Sequence, residues 1–502
     1  MRGRLALLAL LVVPGLLGLA VGTTATRPVK RPHVIVVCVD GCRADRLGCY
    51  GYGRNTSPNL DRLAAEGVRF TLNQAQSNES LFSHASLFTS RYPSEIGPLE
   101  YGEYIVREDL PYLPRILKAQ GYATGGFTGG GHINGDYGFN RGFDVYYDEI
   151  DFSDFRHSVP RALAWAAQPS DQPRFLFLHG YDCHRPYYKE GVFRHLFTPD
   201  YAGHADRFLR SNGILDRVFA GAFYPDFAPT NLLTTQGHHP NDPRDYLRLG
   251  EAARKGTLIG TPLQDGEVEH LRSHYDNCVA FADLWVGFAL ARLRELGYTE
   301  RNTLLLVTSD HGEDLMEHGV FNHRIGLQQA NTHTPLIVWG WGVDRSRRGT
   351  RVDALTQNLD LAPTLLSMLG LAEIPSARGR DLSGWLKADP VAPPPAPGFA
   401  EGILGMSAIF DERYSLIGLG AMPGSAEMVE RLRQGSYEFF DRQKDPGELS
   451  DQARAAEYQA VRDALRDRLV QKEGVVLKVT VPARQKPVDP KLLRELQDHG
   501  YW

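Results

Sequence analysis

The stretch HVIVVCVD, residues 33–40, is the clearest indication of fold class in the chain. Six apolar residues, four of them valine, lead directly to Asp40, which is typical of a strand buried on both faces of a sheet. Similar runs occur at RFLFLH, residues 174–179, and at TLLLVT, residues 303–308, with helical patterns between them. This alternation predicts an α/β fold with a mainly parallel central sheet flanked by helices.

The rest of the chain predicts a main domain and a smaller one. The main domain covers residues 33–388 and contains an insertion, 186–262, that is rich in Tyr, Phe, Pro and His and lacks clear periodicity. A proline-rich linker, KADPVAPPPAPGF, follows. Short strand-like runs and a charged helix at about 451–471 then predict a C-terminal α+β subdomain over 399–475, with a tail at 476–502.

Composition and the N-terminus narrow the class of protein. The chain has 55 basic and 60 acidic residues and no basic block, which argues against a nucleic-acid partner. Two arginines precede an apolar run from Leu5 to about Val21, so residues 1–25 are predicted to be a signal peptide, with an uncleaved membrane anchor as the alternative. Either way the protein is expected to be exported, to the periplasm or the cell exterior. The five cysteines imply no disulfide framework.

Polar residues follow each of the three predicted strands. They are Asp40, the group His179, Asp182 and His184, and the pair Asp310-His311. Because the carboxyl ends of parallel strands share one edge of a sheet, these residues are expected to meet there. A single Asp at a strand end is more often a turn or cap residue. Three such ends together predict a divalent-cation site, in which imidazole favours a transition metal over calcium.

Ser80 has two possible roles at the start of a predicted helix. In SNESLFSHASLFTS, residues 77–90, it precedes apolar residues at helical spacing. A serine there can cap the helix or serve as a reacting hydroxyl, and the local sequence leaves both open.

Several stretches, in this order along the chain, resemble the sulfatase family of the alkaline phosphatase superfamily. They cover most of residues 33–470: DGCRADRLGCYGYGRNTSPNLDRLAAEGVRF, SLFSHASLFTSRYPSEIG, FLFLHGYDCHRPYY, TSDHGEDLMEHGVFNHRIGLQQANTHTPLIV, LDLAPTLLSMLG and YEFFDRQKDPGELSD. The resemblance implies a hydrolase that acts on a sulfated or phosphorylated small molecule, glycan or lipid headgroup. It also implies one divalent metal ion (Mn, Zn, Ca or Mg), and allows a second.

The resemblance also implies roles for individual residues. Ser80 lies where the family has its nucleophile, and it would share the metal with the implied ligands Asp40, Asp310 and His311. The residues expected to contact the anionic group, the leaving oxygen or the nucleophile are His184, His323 and Arg43.

Four departures from the family pattern bear on mechanism. Gly41 replaces a second Asp, Ser80 lacks the Cys-x-Pro-x-Arg frame in which the family makes formylglycine, Thr128–Gly131 replaces a Gly-Lys-Trp-His segment, and His311 replaces an Asn. A formylglycine hydrate can release sulfate by returning to the aldehyde, whereas a serine sulfate cannot. A serine phosphate can be cleared by water or by an acceptor alcohol, so the residues favour phosphorus esters while the family favours sulfate.

Three hypotheses follow for the function. The first is an exported, metal-dependent hydrolase of sulfate or phosphate esters that uses Ser80. The second is a phosphoglycerol- or phosphoethanolamine-type transferase that acts on envelope glycans or lipids. The third is a non-catalytic binding protein on the same scaffold. Five other polar residues have plainer alternatives. His84 is expected to be a satisfied polar residue on the helix that carries Ser80, Glu313 to support its loop, and His318 to be a surface-loop residue. Asp182 either orients His184 or binds a second metal, or is an exposed solvated side chain, and His333 either contacts substrate or has a capping or packing role.

Overall fold

The computed structural model describes residues 31–97, 99, 105–185, 187–198, 265–319, 321–324 and 326–476. The predicted signal peptide or anchor (1–25), nearly all of the predicted tail and most of the predicted insertion lie outside these ranges. Among the described residues, no helix is both long enough and apolar enough to cross a membrane.

Within the described residues, eight strands form the central sheet. They are β1 (His33–Val39), β2 (Val68–Gln74), β3 (Ala123–Phe127), β4 (Val145–Tyr147), β5 (Arg174–Gly180), β6 (Thr303–Thr308), β9 (Leu336–Gly340) and β10 (Thr350–Gln357). Between β6 and β9 lies a short hairpin of β7 (Asp314–Leu315) and β8 (Phe321–Asn322).

The order of strands across the sheet is β10-β2-β9-β6-β1-β5-β3-β4. All neighbouring pairs are parallel except the two that involve β9, which runs antiparallel to β2 and β6. The prediction of a mainly parallel sheet is therefore confirmed, and β1 lies between β5 and β6 near its centre.

Helices cover both faces of this sheet. In the main domain they are α1 (Pro58–Glu66), α2 (Ser80–Thr89), α3 (Pro93–Ile96), α4 (Leu113–Ala119), α5 (Phe155–Ala166), α6 (Asp265–Glu295), α7 (Gln329–Thr332) and α8 (Leu361–Met368). Alternate residues of β1 belong to two different cores: Val34, Val36 and Cys38 pack with α2, and Ile35, Val37 and Val39 pack with α1 and α6. Two-sided burial explains why β1 is a continuous apolar run rather than an alternating one.

A small antiparallel sheet forms the C-terminal part. Its order is β11 (Gly398–Gly402), β12 (Met406–Phe410), β13 (Tyr414–Leu419) and β14 (Tyr437–Asp441), with α9 (Ala426–Arg433) and α10 (Gln459–Val476) against it. The predicted α+β character is confirmed; the boundaries 33–388 and 399–475 stay a prediction. The last helix begins at Gln459 rather than near 451, because Asp451 instead accepts hydrogen bonds from the backbone N–H groups of Phe439 and Ala453.

Candidate active site

The polar residues that follow β1, β5 and β6 meet at one edge of the sheet. Register explains the convergence, since Cys38 of β1 lies beside His179 of β5 and beside Thr308 of β6. Asp40 and the Asp310-His311 pair therefore emerge side by side, as the sequence predicted from the parallel topology.

Asp40, Asp310 and His311 form a tight group, here named the carboxylate–histidine cluster. Their ligand atoms lie within 4.8 Å of one another, and all three side chains are fully buried. His179 Nε2 lies 3.2 Å from Asp40 Oδ2. The backbone N–H groups of Gly41 and His311 donate to Asp310 Oδ1, at 3.1 and 2.9 Å. These bonds hold one oxygen of each carboxylate and turn the other toward the cluster.

The cluster fits a divalent cation. Asp40 Oδ1 and Asp310 Oδ2 are buried and have no hydrogen-bond partner among the described residues, which is costly for a carboxylate unless a cation satisfies it. His311 Nδ1 lies 2.9 Å from the carbonyl of Gly312 and donates to it, so Nε2 carries the lone pair that can bind a metal. Two carboxylates and one imidazole are a reasonable donor set for Mn or Zn.

The electrostatics of the carboxylates agree with this fit. Burial, and then the neighbouring Asp310, raise the pKa of Asp40 well above its ordinary value. Burial also acts to raise the pKa of Asp310, but His311 and His84 outweigh it and lower that pKa. Two carboxylates this close repel each other when both are ionised, and a cation between them removes that repulsion.

Gly41 explains why the site has two carboxylates rather than three. Its backbone has φ +69°, a left-handed conformation that glycine adopts without strain. A Cβ atom at this position would lie 3.3 Å from the backbone of Cys183 and His184. A second Asp directly after Asp40 would therefore be strained and crowded.

Ser80 is the first residue of α2, and its hydroxyl faces the cluster. Glu79 occupies the cap position and its side chain makes no capping bond. Ser80 Oγ lies 3.2 Å from His311 Nε2, and the serine is 1% exposed. The hydroxyl thus points toward the candidate metal site, at a helix N-terminus whose dipole favours a bound anion.

A second group, the histidine–glutamate cluster, adjoins the first. It consists of His184, Glu313 and His323, whose ligand atoms also lie within 4.8 Å of one another. The His323 ring stacks on His311 at a centroid distance of 4.4 Å, and the His184 and His323 rings are 5.0 Å apart. His323 Nδ1 lies 3.1 Å from Glu313 Oε1, so Glu313 orients this imidazole.

The two imidazoles of this cluster differ in charge preference. Burial lowers the pKa of His323, but Glu313 and Glu79 outweigh burial and raise it. Burial, followed by the nearby His323, lowers the pKa of His184 well below its ordinary value. His323 is therefore suited to carry a proton while His184 stays neutral.

Several buried residues that lie beside these two clusters were not predicted from the sequence. Glu79 is fully buried and forms an ion pair with Arg324 at 2.9 Å. Burial acts to raise the pKa of Glu79, yet Arg324 and His323 hold it well below the usual range. His132, which follows the glycines that replace the family's Gly-Lys-Trp-His segment, is also fully buried, and burial lowers its pKa well below the ordinary value despite the nearby Glu79. A polar residue before Ser80 and a basic residue beside His323 were the only sequence signals.

Arg43 lies at the edge of the site rather than against the nucleophile. Its guanidinium binds Asp45, Glu317 and the backbone carbonyl of Glu313, the last at 2.9 Å. Among the described residues, no hydrogen bond joins the Arg43 guanidinium to Ser80. Its support of the nucleophile stays a prediction, and the bond to Glu313 offers one indirect route.

The remaining candidates have structural partners. His84 Nδ1 donates to the carbonyl of Ser80 at 2.7 Å, and Asp182 Oδ2 accepts from the backbone N–H of Phe155 at 3.0 Å. His333 Nε2 donates to the carbonyl of Thr71. His318 pairs with Asp314. The alternative that Asp182 is an exposed side chain is wrong, because it is fully buried, and Glu313 lies within the site.

Comparisons with known proteins identify the family of the chain. A family profile described as Sulfatase matches residues 32–371. The N-acetylglucosamine-6-O-sulfatase of Bacteroides thetaiotaomicron is 24% identical over 396 residues, which cover 69% of this chain and 69% of the relative.

Two solved structures share the fold. One, a protein in complex with its substrate D-glucosamine-2-N,6-O-disulfate, has a TM-score of 0.66 and 20% identity over 92% of this chain and 100% of that chain. The other, the phosphonate monoester hydrolase of Agrobacterium radiobacter, has a TM-score of 0.64 and 19% identity over 89% of this chain and 96% of that chain. The profile match spans well over half of the 502 residues, so the resemblance seen in the sequence is confirmed and the chain belongs to the sulfatase family of ester hydrolases.

Proposed function

We propose that the protein is a metal-dependent hydrolase that cleaves sulfate or phosphate esters with Ser80, unmodified, as its nucleophile. The observation that carries this proposal is the position of the Ser80 hydroxyl, 3.2 Å from His311 Nε2 and at the N-terminus of α2. A buried hydroxyl beside a candidate metal ligand and a helix N-terminus is arranged for attack on an anionic ester.

The carboxylate–histidine cluster would hold one divalent cation. When bound, that cation lowers the pKa of the Ser80 hydroxyl and neutralises charge on the transferring group. Asp310 is kept in place by the backbone N–H groups of Gly41 and His311, and Asp40 by His179. No second cation is proposed at the histidine–glutamate cluster, because His323 is assigned there as an acid that carries a proton.

His323 is the proposed acid for the leaving oxygen. Its Nδ1 is held by Glu313, and its Nε2 lies 3.8 Å from Glu79 Oε2. Both carboxylates favour the protonated ring, which stacks on His311 and would give its Nε2 proton to the leaving oxygen as charge develops there. His184, whose Nδ1 donates to the carbonyl of Arg185 at 2.7 Å, would position the anionic group through Nε2.

The ester that is cleaved contains either sulfur or phosphorus. A sulfated amino sugar is the substrate in one structural neighbour, and a phosphonate monoester hydrolase is another, at nearly the same TM-score. A plain serine favours phosphorus, because water can clear a serine phosphate. An acceptor alcohol could do the same, which keeps the phosphoryl-alcohol transferase as the second candidate.

We also propose that the protein is exported. Support comes from the basic and then apolar pattern of residues 1–25. A sulfated or phosphorylated glycan is the proposed natural substrate: the N-acetylglucosamine-6-O-sulfatase relative favours the sulfated form, and the plain serine favours the phosphorylated one. Fractionation of producing cells, with N-terminal sequencing of the mature chain, tests this. An intact N-terminus in the cytoplasmic fraction would contradict it.

One rate assay tests the function. The purified chain is stripped of metal, and Mn, Zn, Ca and Mg are restored in turn with an aryl sulfate and an aryl phosphodiester as substrates. Metal-dependent turnover of either ester supports the hydrolase, and its stimulation by glycerol, with a glycerol adduct as product, supports the transferase. Absence of turnover with every metal would contradict both and support the binding-protein hypothesis.

A further inference from the structure

Three histidines outside the active site converge where the insertion begins. His270 and His274 lie one turn apart on α6, both buried, and His195 approaches them from the described segment 187–198. The ligand nitrogens of this triple-histidine cluster lie within 4.8 Å of one another. We propose that the cluster is a second, structural metal site, which binds zinc or a similar transition-metal ion.

The distances suit such an ion. His270 Nε2 and His274 Nε2 are 3.0 Å apart. A tetrahedral zinc ion with Zn–N bonds of about 2.1 Å holds its ligand nitrogens roughly 3.4 Å apart, so this pair needs only a small adjustment. The His195 ring lies 6.1 Å from the His270 ring and 5.8 Å from the His274 ring, centroid to centroid, and completes three sides of the site.

A neighbouring hydroxyl fixes the orientation of one ligand. Thr198 Oγ1 lies 3.1 Å from His270 Nδ1. When Nδ1–H donates to this oxygen, the lone pair of His270 is on Nε2, the atom that faces His274. Metal-binding histidines usually have their second ring nitrogen held by an oxygen in this way. Three imidazoles without a carboxylate favour zinc, copper or nickel over magnesium or calcium.

The site would join α6 to a segment with little regular structure. Apart from a single turn at Gly191–Phe193, segment 187–198 has no helix or strand. Its other contacts with α6 include the Phe193 and Phe281 rings, 5.3 Å apart, and a hydrogen bond from Asn277 Nδ2 to the carbonyl of Arg194. A bound ion would fix this segment against the helix.

The same helix also supports the active site. Tyr275, next to His274, donates its hydroxyl to the carbonyl of Gly41 at 2.7 Å and accepts from the backbone N–H of Arg43 at 2.8 Å. Gly41 and Arg43 belong to the turn and loop that directly follow β1 and Asp40. An ion at the triple-histidine cluster would therefore stabilise the element against which that turn rests, without contacting substrate.

Cobalt binding to the Asp310→Asn protein, in which the active-site cation is weakened, tests the proposal. We expect about one equivalent of Co²⁺ with the visible absorption of a tetrahedral site, and zinc should displace it. The same protein with His195→Ala should lose that signal, because His195 is half-buried on a segment without regular structure and its removal should leave the fold intact. A matched control, His157→Ala, changes a half-buried histidine outside all three clusters and should keep the signal.

A second variant, His270→Gln, removes a ligand from the helix itself. It should likewise lose the cobalt signal and the rise in melting temperature that zinc gives to the parent protein. Equal cobalt binding and an equal zinc-dependent rise in all four proteins would overturn the proposal. Because every protein in the comparison carries Asp310→Asn and no rate is measured, the result does not depend on the proposed catalytic function.

Discussion

Two serines of α2, one turn apart, allow the nucleophile to be tested against a matched neighbour. Ser80 and Ser83 are both 1% exposed. Ser80 Oγ faces His311, whereas Ser83 Oγ donates to the carbonyls of Asp310 at 2.7 Å and Ser77 at 3.0 Å. We expect Ser80→Ala to abolish turnover and Ser83→Ala to lower stability.

The magnitudes follow from these contacts. Removing a nucleophile that acts with other groups lowers kcat by about 10⁴-fold or more, which corresponds to at least roughly 5 kcal/mol in the barrier. Ser80→Ala removes one hydrogen bond and should cost at most about 1 kcal/mol of folding free energy. Ser83→Ala removes the donor to two buried carbonyls and should cost about 1–3 kcal/mol.

The assay combines rate and stability measurements on both variants at saturating metal. Turnover of the better aryl ester is compared with the free energy of unfolding from urea titration. Ser83→Ala should keep turnover within about tenfold, because its hydroxyl forms hydrogen bonds to backbone carbonyls, those of Ser77 and Asp310, and not to a reacting group. Comparable turnover in Ser80→Ala and the wild type would refute the reasoning, as would an equal loss of turnover in both variants with metal still bound.

Three further predictions concern single side chains. Asp310→Asn should weaken active-site metal binding at least about a hundredfold, as measured by titration with a metal indicator, and metal affinity equal to the wild type would contradict the ligand assignment. His323→Gln should slow esters with poor leaving groups by about 10²-fold or more and nitrophenyl esters much less, and an equal effect on both would contradict its role as the acid. Burial lowers the pKa of His318, but Asp314 outweighs burial and raises the pKa to about 9. The ion pair of protonated His318 with Asp314 therefore stabilises the folded state fully below about pH 6.5, and this stabilisation is lost as the pH rises through 9. His318→Gln should therefore be less stable than the wild type at pH 6. The loss in free energy of unfolding should be up to about 2 kcal/mol, because the cost of burying the Asp314 carboxylate offsets part of the ion pair's stabilisation. A stability difference that does not shrink by pH 10 would contradict this.

The central sheet and the carboxylate–histidine cluster could be predicted because they follow from local pattern and one topological rule. Apolar runs that end in Asp or His identify the strand ends, and parallel strands bring those ends to one edge. The antiparallel direction of β9 could not be predicted, because a strand buried on both faces has a continuous apolar run whether it is parallel or antiparallel.

The residues behind the cluster depend on contacts between distant parts of the chain. The Glu79–Arg324 pair joins segments that only the folded sheet brings together, so neither residue stood out. The sequence shows only that Gly41 replaces an Asp ligand of the family. Its left-handed φ and its close approach to the backbone of Cys183 are seen only in the structure. The triple-histidine cluster likewise requires knowing that the start of the insertion packs on α6.

The central claim is that Ser80, as an ordinary serine beside a metal, attacks the ester. Its most direct test is the mass of the peptide that carries residue 80, after rapid quench of the metal-loaded enzyme with an aryl sulfate or an aryl phosphodiester. We expect an unmodified serine before substrate and a sulfo or phosphoryl adduct on Ser80 afterwards, which is absent when metal is stripped. Turnover without any adduct on residue 80, or a formylglycine at this position, would contradict it.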